Sequence, residues 1–216
     1  EIAQCLVGSE MCIRDRIDPV RFIGNYSSGK MGFALAEACA ERGAEVTLVA
    51  GPVSLKTHHP AIKRIDVESA GEMYQAAMTA FPSSDAAILC AAVADYRPEN
   101  ASEQKIKRET EREMTLHLVP NPDIAASLGA IKREGQVMVG FALETNDEAT
   151  HAEGKLKRKN LDFIVLNSLR DQGAGFRCDT NKITIIDNAG GVTSYPLKTK
   201  REVACDIVNK LVTLLK

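Results

Sequence analysis

Two stretches of this chain are apolar on every consecutive residue: Ala86-Ala87-Ile88-Leu89-Cys90-Ala91-Ala92 and Phe163-Ile164-Val165-Leu166. A strand with apolar side chains on both faces needs cover on both faces, the situation of a central strand in a parallel sheet. The sequence around them alternates between helical and strand patterns. From Gly29 to Arg42 the residues Phe33, Leu35, Ala36, Cys39 and Ala40 give a helical apolar face, and Gly43 stops it. Glu45 to Ala50 follows as a strand, broken by Gly51-Pro52. A weaker strand, Ile62 to Val67, leads into a helix from Ser69 to Phe81, with Glu72 placed as the capping-box partner of Ser69.

The later segments repeat the theme. Thr115 to Val119 and Val137 to Ala142 read as strands, and Glu148 to Lys159 as a basic helix. Asn121 is placed to cap a helix that has Pro122 at its first position. Glu99 to Glu113 is polar and dense in charge, which predicts a mobile surface loop. Lys182 to Asp187 and a short piece around Ser194 flank the glycine-bearing Asp187–Gly191 turn, a hairpin signal, before a last helix from Lys200 to about Leu214. The fold class is therefore α/β: a doubly wound, Rossmann-like, mostly parallel sheet ended by a C-terminal antiparallel hairpin. Residues 1–16, EIAQCLVGSEMCIRDR, neither alternate like a strand nor carry a clear turn. The organised chain is expected to begin at Ile17.

Composition removes several classes. Lys+Arg 27 against Asp+Glu 29 argues against nucleic acid as a partner, and no stretch approaches a membrane span. Six scattered cysteines with no CxxC pair argue against a zinc ribbon or a redox pair and fit a reducing, cytoplasmic compartment.

Gly24-Asn25-Tyr26-Ser27-Ser28-Gly29-Lys30 fits the G-x-x-x-x-G-K part of a phosphate loop, but Met31 stands where Ser or Thr should hold magnesium. A nucleotide-hydrolase reading is set aside on that ground. What remains is an anion site at a helix N-terminus, made by Ser27, Ser28 and the Gly29 amide, unless the serines only cap the helix. Asp95 sits at the carboxyl end of the Ala86–Ala92 strand, where doubly wound sheets bind ligands. The Glu99–Glu113 loop carries Lys105-Ile106-Lys107-Arg108, cations suited to transient neutralisation of an anion. Lys155 and Lys159, four apart, share a helix face turned either to water or to an anion.

These residues lie in runs that together resemble one family. Asp18-Pro19-Val20-Arg21-Phe22-Ile23-Gly24-Asn25-Tyr26-Ser27-Ser28-Gly29-Lys30-Met31-Gly32, Ala91-Ala92-Val93-Ala94-Asp95-Tyr96-Arg97, Lys105-Ile106-Lys107-Arg108, Asn121-Pro122-Asp123-Ile124, Gly140-Phe141-Ala142-Leu143-Glu144-Thr145 and Lys159-Asn160-Leu161-Asp162 resemble bacterial phosphopantothenate–cysteine ligase. That enzyme is the synthetase half of a bifunctional coenzyme A biosynthesis protein, and the likeness runs collinearly from about residue 17 onward. The resemblance implies that CTP activates 4'-phosphopantothenate as an acyl-cytidylate, which cysteine's amine then attacks. It assigns catalysis to Asn25, Lys105 and Arg21. It assigns nucleotide contacts to Asp95, Asn121, Pro122, Asp123, Ile124, Phe141, Lys155 and Lys159, and the anion site read at Ser27, Ser28 and Gly29 joins them as a cofactor-binding candidate. It further implies Mg2+ near Asp95 and a homodimer, with FMN confined to the decarboxylase half, which this sequence lacks. The family opens with a strand and a glycine-rich turn that residues 1–16 do not resemble. The expectation is then a foreign segment 1–16 joined to an N-terminally truncated ligase domain 17–216, its first strand missing. An NAD(P)-binding oxidoreductase and an inactive ligase fragment stand as alternatives.

Overall fold

The structure, a computed structural model, describes residues 2, 4–9, 13–107, 113–144, 148–168 and 178–215. Its strands are β1 (Gln4–Ser9), β2 (Asp15–Arg16), β3 (Phe22–Ile23), β4 (Glu45–Ala50), β5 (Ile62–Asp66), β6 (Ala86–Leu89) and β7 (Tyr96–Pro98). They continue as β8 (Leu118–Pro120), β9 (Val137–Glu144), β10 (Phe163–Ser168), β11 (Thr180–Asn181), β12 (Ile183–Asp187), β13 (Val192–Ser194) and β14 (Lys198–Thr199). The helices are α1 (Lys30–Glu41), α2 (Ala70–Ala80), α3 (Ile124–Ile131), α4 (Glu148–Arg158) and α5 (Lys200–Leu214). Eight strands form one sheet in the order β13-β12-β10-β9-β6-β1-β4-β5. The six from β10 to β5 in that order are parallel, and β12 and β13 close the other edge as an antiparallel hairpin. This is the doubly wound, mostly parallel architecture that the strand and helix patterns imply.

The missing first strand is a correction. β1 lies in the middle of the sheet, with Cys5 opposite both Val46 of β4 and Ala86 of β6. Cys5, Leu6 and Val7 are essentially sealed from solvent, at 1%, 1% and 0% exposure. The apolar run Cys5-Leu6-Val7 is too short to stand out against its surroundings. Pairing on both sides supplies the stability that its length does not, and each fully buried Leu or Val adds roughly 1.5–3 kcal/mol. The boundary at residue 17 moves for the same reason. Arg16 pairs with Phe22 across β2 and β3, the Arg14 amide donates to the Glu68 carbonyl at 2.7 Å, and Arg16 forms an ion pair with Glu68.

From β1 the chain winds outward through α1 to β4 and β5, then returns through α2 to β6 on the other side of β1. That reversal splays the connections apart and opens a crevice at the carboxyl ends of β1 and β6. α1 and α5 cover one face, where Phe33, Leu35 and Cys39 share a core with Val203, Ile207 and Leu211. α2, α3 and α4 cover the other through Met73, Leu128, Ala152 and Leu156. Both terminal-helix and α2 starts are capped by reciprocal boxes, Thr199 with Glu202 and Ser69 with Glu72.

Gly129 fixes how α3 meets the turn after α4. A Cβ there would stand 2.1 Å from the Lys159 carbonyl oxygen, a backbone atom with no rotamer to escape into. The Asn160 side chain donates to the Gly129 carbonyl at 3.0 Å across the same contact. Gly129→Ala gains about 1 kcal/mol of helix propensity, yet overpacking of this kind costs roughly 1–3 kcal/mol or more. A net loss is expected, read as a melting temperature several degrees lower. A variant as stable as the parent would show that α3 can shift away freely.

Candidate functional site

α1 begins at Lys30, with Gly29 at the N-cap in the left-handed region at φ 72° and no side chain capping the helix. The first-turn amides of any helix have no partner within it and point outward along the dipole. Here they face a cleft of about 330 Å³ lined by Asn25, Ser27, Ser28 and Gly29 on one side and by Asp95 and Phe141 on the other. Ser28 and Asp95 thus share one concave site. Lys155 reaches the same cleft from α4. Asn25 is placed by a tight crossing: a Cβ on Gly24 would lie 2.4 Å from the Ile13 carbonyl oxygen. Its Nδ2 then donates to the Ala92 carbonyl at 2.9 Å, tying the loop to the end of the central strand.

A second cleft of about 200 Å³ adjoins the first, with Ala91, Val93, Asp95 and Phe141 as common wall. Its floor is apolar (Leu6, Val49, Met73, Leu89) and its rim carries Asn121, Pro122, Asp123 and Ile124, with Lys159 paired to Asp123. The expected Asn121 cap is a correction. Asp123 is the N-cap of α3, accepting from the Ala126 amide at 3.0 Å, and the helix starts at Ile124. Asn121 instead donates to Asp15 Oδ2 at 2.7 Å and to the Ala94 carbonyl at 2.9 Å. Asp15, 4% exposed, also accepts from the Ala70 amide at 3.0 Å. A residue in the segment set aside at the sequence level therefore orients a site residue. Burial pushes the Asp123 carboxyl up, but the Ala126 amide and the Lys159 ammonium, 3.0 Å away, outweigh it and hold it below the ordinary value.

Arg21 and Lys105 line neither cleft. Arg21 is paired to Asp18, whose carboxylate also accepts from the amides of Val20, Arg21 and Ile106 at 2.8, 2.9 and 3.1 Å. The Arg21 guanidinium also donates to the Ile106 carbonyl at 2.7 Å. Ile106 is the neighbour of exposed Lys105, so the expected mobile loop is pinned at this point. Arg108 and residues 109–112 of the loop, like Thr145, lie outside the described residues.

The Arg21 guanidinium holds the Asp18 carboxyl far below its usual range, against burial and with help from three amides. A carboxyl depressed in the folded state stabilises the fold above its unfolded pKa of about 3.9 and loses that contribution as pH falls below it. Asp18→Asn is expected to lower the melting temperature at neutral pH and to flatten its fall in acid. Trypsin should also cut faster after Lys105 and Lys107. Parallel acid profiles for parent and variant, with unchanged cleavage, would remove Asp18 as the anchor.

Two features were not visible in the sequence. Asp15 is one. Lys200 is the other: the first residue of α5, it is 7% exposed and lines the larger cleft. Among the described residues no three His, Cys, Asp or Glu side chains gather as a cation cage. Asp95 is a single exposed carboxylate on the wall common to both clefts. That donor set fits a magnesium ion that arrives with phosphates, since this ion keeps its waters and takes one or two carboxylates plus substrate oxygens.

Residues 9–215 match the family described as DNA/pantothenate metabolism flavoprotein C-terminal domain. The chain belongs to that family. The match starts inside the segment that motif resemblance alone leaves aside. Over 199 residues this family member is 59% identical to a cysteine/cysteine sulfinic acid decarboxylase from an unknown prokaryotic organism, covering 92% of this chain and 55% of that one. Over 203 residues it is 48% identical to the coenzyme A biosynthesis bifunctional protein CoaBC of Vibrio parahaemolyticus, covering 94% of this chain and 50% of that one. The chain spans about half the length of these curated relatives. A crystal structure of the C-terminal domain of a CoaBC protein superposes with a TM-score of 0.82 at 38% identity, over 99% of this chain and 97% of that one. The half that this flavoprotein C-terminal domain matches is the ligase half, as the motifs imply. Among the described residues no helix is long and apolar enough to cross a membrane.

Proposed function

We propose that this domain joins 4'-phosphopantothenate to L-cysteine at the expense of CTP, through an acyl-cytidylate, giving 4'-phosphopantothenoylcysteine, CMP and pyrophosphate. The observation that carries the reading is the pair of clefts sharing the Asp95–Phe141 wall. A nucleotide has the same two parts. Its flat base suits the apolar floor with the Asn121–Ile124 rim, and its phosphates suit the α1 N-terminus with Lys155. The choice of cytosine and of the two co-substrates comes from the family.

In the first step a carboxylate oxygen of 4'-phosphopantothenate attacks the α-phosphorus of CTP. The bond to the bridging oxygen breaks, and pyrophosphate leaves with its electron pair. The serines and amides of residues 27–29 and Lys155 face the phosphate chain. Lys105, exposed beside the Ile106 anchor, swings in to supply positive charge to the transferring phosphoryl group. Arg21 acts through that anchor. Asp95 would hold a magnesium ion brought in with the phosphates, which would screen their charge. In the second step the cysteine amine attacks the activated acyl carbon, loses a proton to solvent, and displaces CMP. Asn25, fixed to Ala92, offers an amide N–H to the acyl-phosphate oxygens. No protein nucleophile is needed. The working unit in this reading is a cytoplasmic homodimer.

Mixing the chain with CTP and 4'-phosphopantothenate, with and without cysteine, tests the proposal. Pyrophosphate should appear once per site without cysteine and continuously with it, alongside the cysteine adduct. NAD(P) binding without CTP turnover would favour the oxidoreductase alternative, and no pyrophosphate at all would mark an inactive fragment.

A further inference from the structure

The larger cleft continues past the α1 N-terminus to a wall that the motifs do not mention. Asn167 of β10, Asn181 of β11 and Lys200 of α5 line it. Asn181 is 3% exposed, and its Oδ1, like that of Asn167, is buried with no hydrogen-bond partner. Buried polar atoms are rarely left so; these two oxygens accept as placed, and an amide turned over presents its NH2 group to a ligand at the same position.

Lys200 is odd by the rules of helix design. A cation in the first turn opposes the positive end of the helix dipole. Thr199 and Glu202 already cap α5, so the helix does not need the lysine there. Burial first, and Lys30 beside it second, pull the Lys200 pKa below the ordinary lysine value. Lys30 is itself the first residue of α1 and is paired with Asp179. Two helix N-termini and two lysines thus bring positive potential to one end of the cleft, and among the described residues the Asp179 carboxylate lies beside them. An unfavourable arrangement of this kind is relieved by a polyanion.

We propose that Lys200 and Asn181 seat the terminal phosphates of the nucleoside triphosphate, and hence the departing pyrophosphate. The inference rests on the ligase reading above and extends it to a part of the cleft that reading does not use. Turning the Asn181 amide over brings its NH2 group to the unpaired position. It gives up only a 4.0 Å contact with Met31 Sδ, and the amide can then donate to a phosphate oxygen.

Calorimetric titration of the full chain with CTP, CMP and pyrophosphate tests this. Lys200→Met keeps a long side chain that tolerates burial. Asn181→Asp places an anion against the proposed phosphates. Both are expected to weaken CTP and pyrophosphate by about tenfold or more, the scale of one charged hydrogen bond. CMP binding should stay near the parent value, and Lys200→Arg should recover part of the loss. Parent-like binding of CTP and pyrophosphate by Lys200→Met overturns the proposal. So does an equal loss for all three ligands, or unfolding of both variants, because either marks a structural role. A parent that binds pyrophosphate through Lys200 but not CTP supports the phosphate seat and overturns the nucleotide reading instead. A parent that binds neither overturns both.

Discussion

An Asn25→Ala chain is expected to release pyrophosphate from CTP and 4'-phosphopantothenate and then to hold the acyl-cytidylate instead of passing it to cysteine. The asparagine Nδ2 lies 2.9 Å from the Ala92 carbonyl at the mouth of the α1 cleft, on the exposed side of a loop that Gly24 packs against Ile13. Loss of one exposed hydrogen bond costs about 1 kcal/mol of stability or less. Loss of a donor aimed at the reacting oxygens costs roughly a hundredfold in rate or more. The two effects therefore separate. Rapid quench with labelled CTP should trap cytidylate in the variant, while its melting temperature stays close to the parent's. Product formation at the parent rate would reduce Asn25 to a loop tie and leave the second step without its donor.

The largest effect is expected at Lys105. Its side chain is exposed and lines neither cleft, so Lys105→Gln should change stability by about 0.5 kcal/mol or less. Removing a cation from a developing phosphoryl charge costs about 3 kcal/mol, more than a hundredfold in pyrophosphate release. Lys107, two residues on and equally exposed, is the control for charge alone. The difference between the two is geometric. Ile106 is clamped by Asp18 and Arg21, so Lys105 and Lys107 start from fixed and different positions along the loop. Pyrophosphate release should collapse in Lys105→Gln and fall only slightly in Lys107→Gln. Equal rates would mean that the loop contributes diffuse charge. A large drop in melting temperature in Lys105→Gln would make the residue structural.

How the site came to be legible follows from what each residue touches. Asn25, Ser27, Ser28 and Gly29 are consecutive or nearly so, and a helix start with glycine and serine before it is a local pattern. Asp95 follows an apolar strand, and the carboxyl end of such a strand is where a doubly wound sheet binds. Both inferences need only neighbours in sequence, and the structure brings the two groups to one cleft. The Asn121–Ile124 segment stands at a helix start, as its Asn-Pro-Asp pattern implies. Its cap is not legible because Asn and Asp cap equally well, and the choice falls to Asp15, which holds Asn121 from more than a hundred residues away.

The apolar runs, the helical periodicities and the capping pairs were enough to set an α/β sheet and its closing hairpin, because those signals act over a few residues and depend on burial pattern alone. The central position of β1 was not. A run as short as Cys5-Leu6-Val7 becomes a strand only when β4 and β6 stand on either side to pair with it. The same holds for the anchor of Ile106, beside Lys105, on Asp18 and for the burial of Lys200. A carboxylate is assigned as an anchor, or a lysine as part of a cleft, by groups that arrive from distant segments. Tertiary structure alone decided these, since hydrogen bonds and desolvation act on distance in space and leave no periodic trace along the chain.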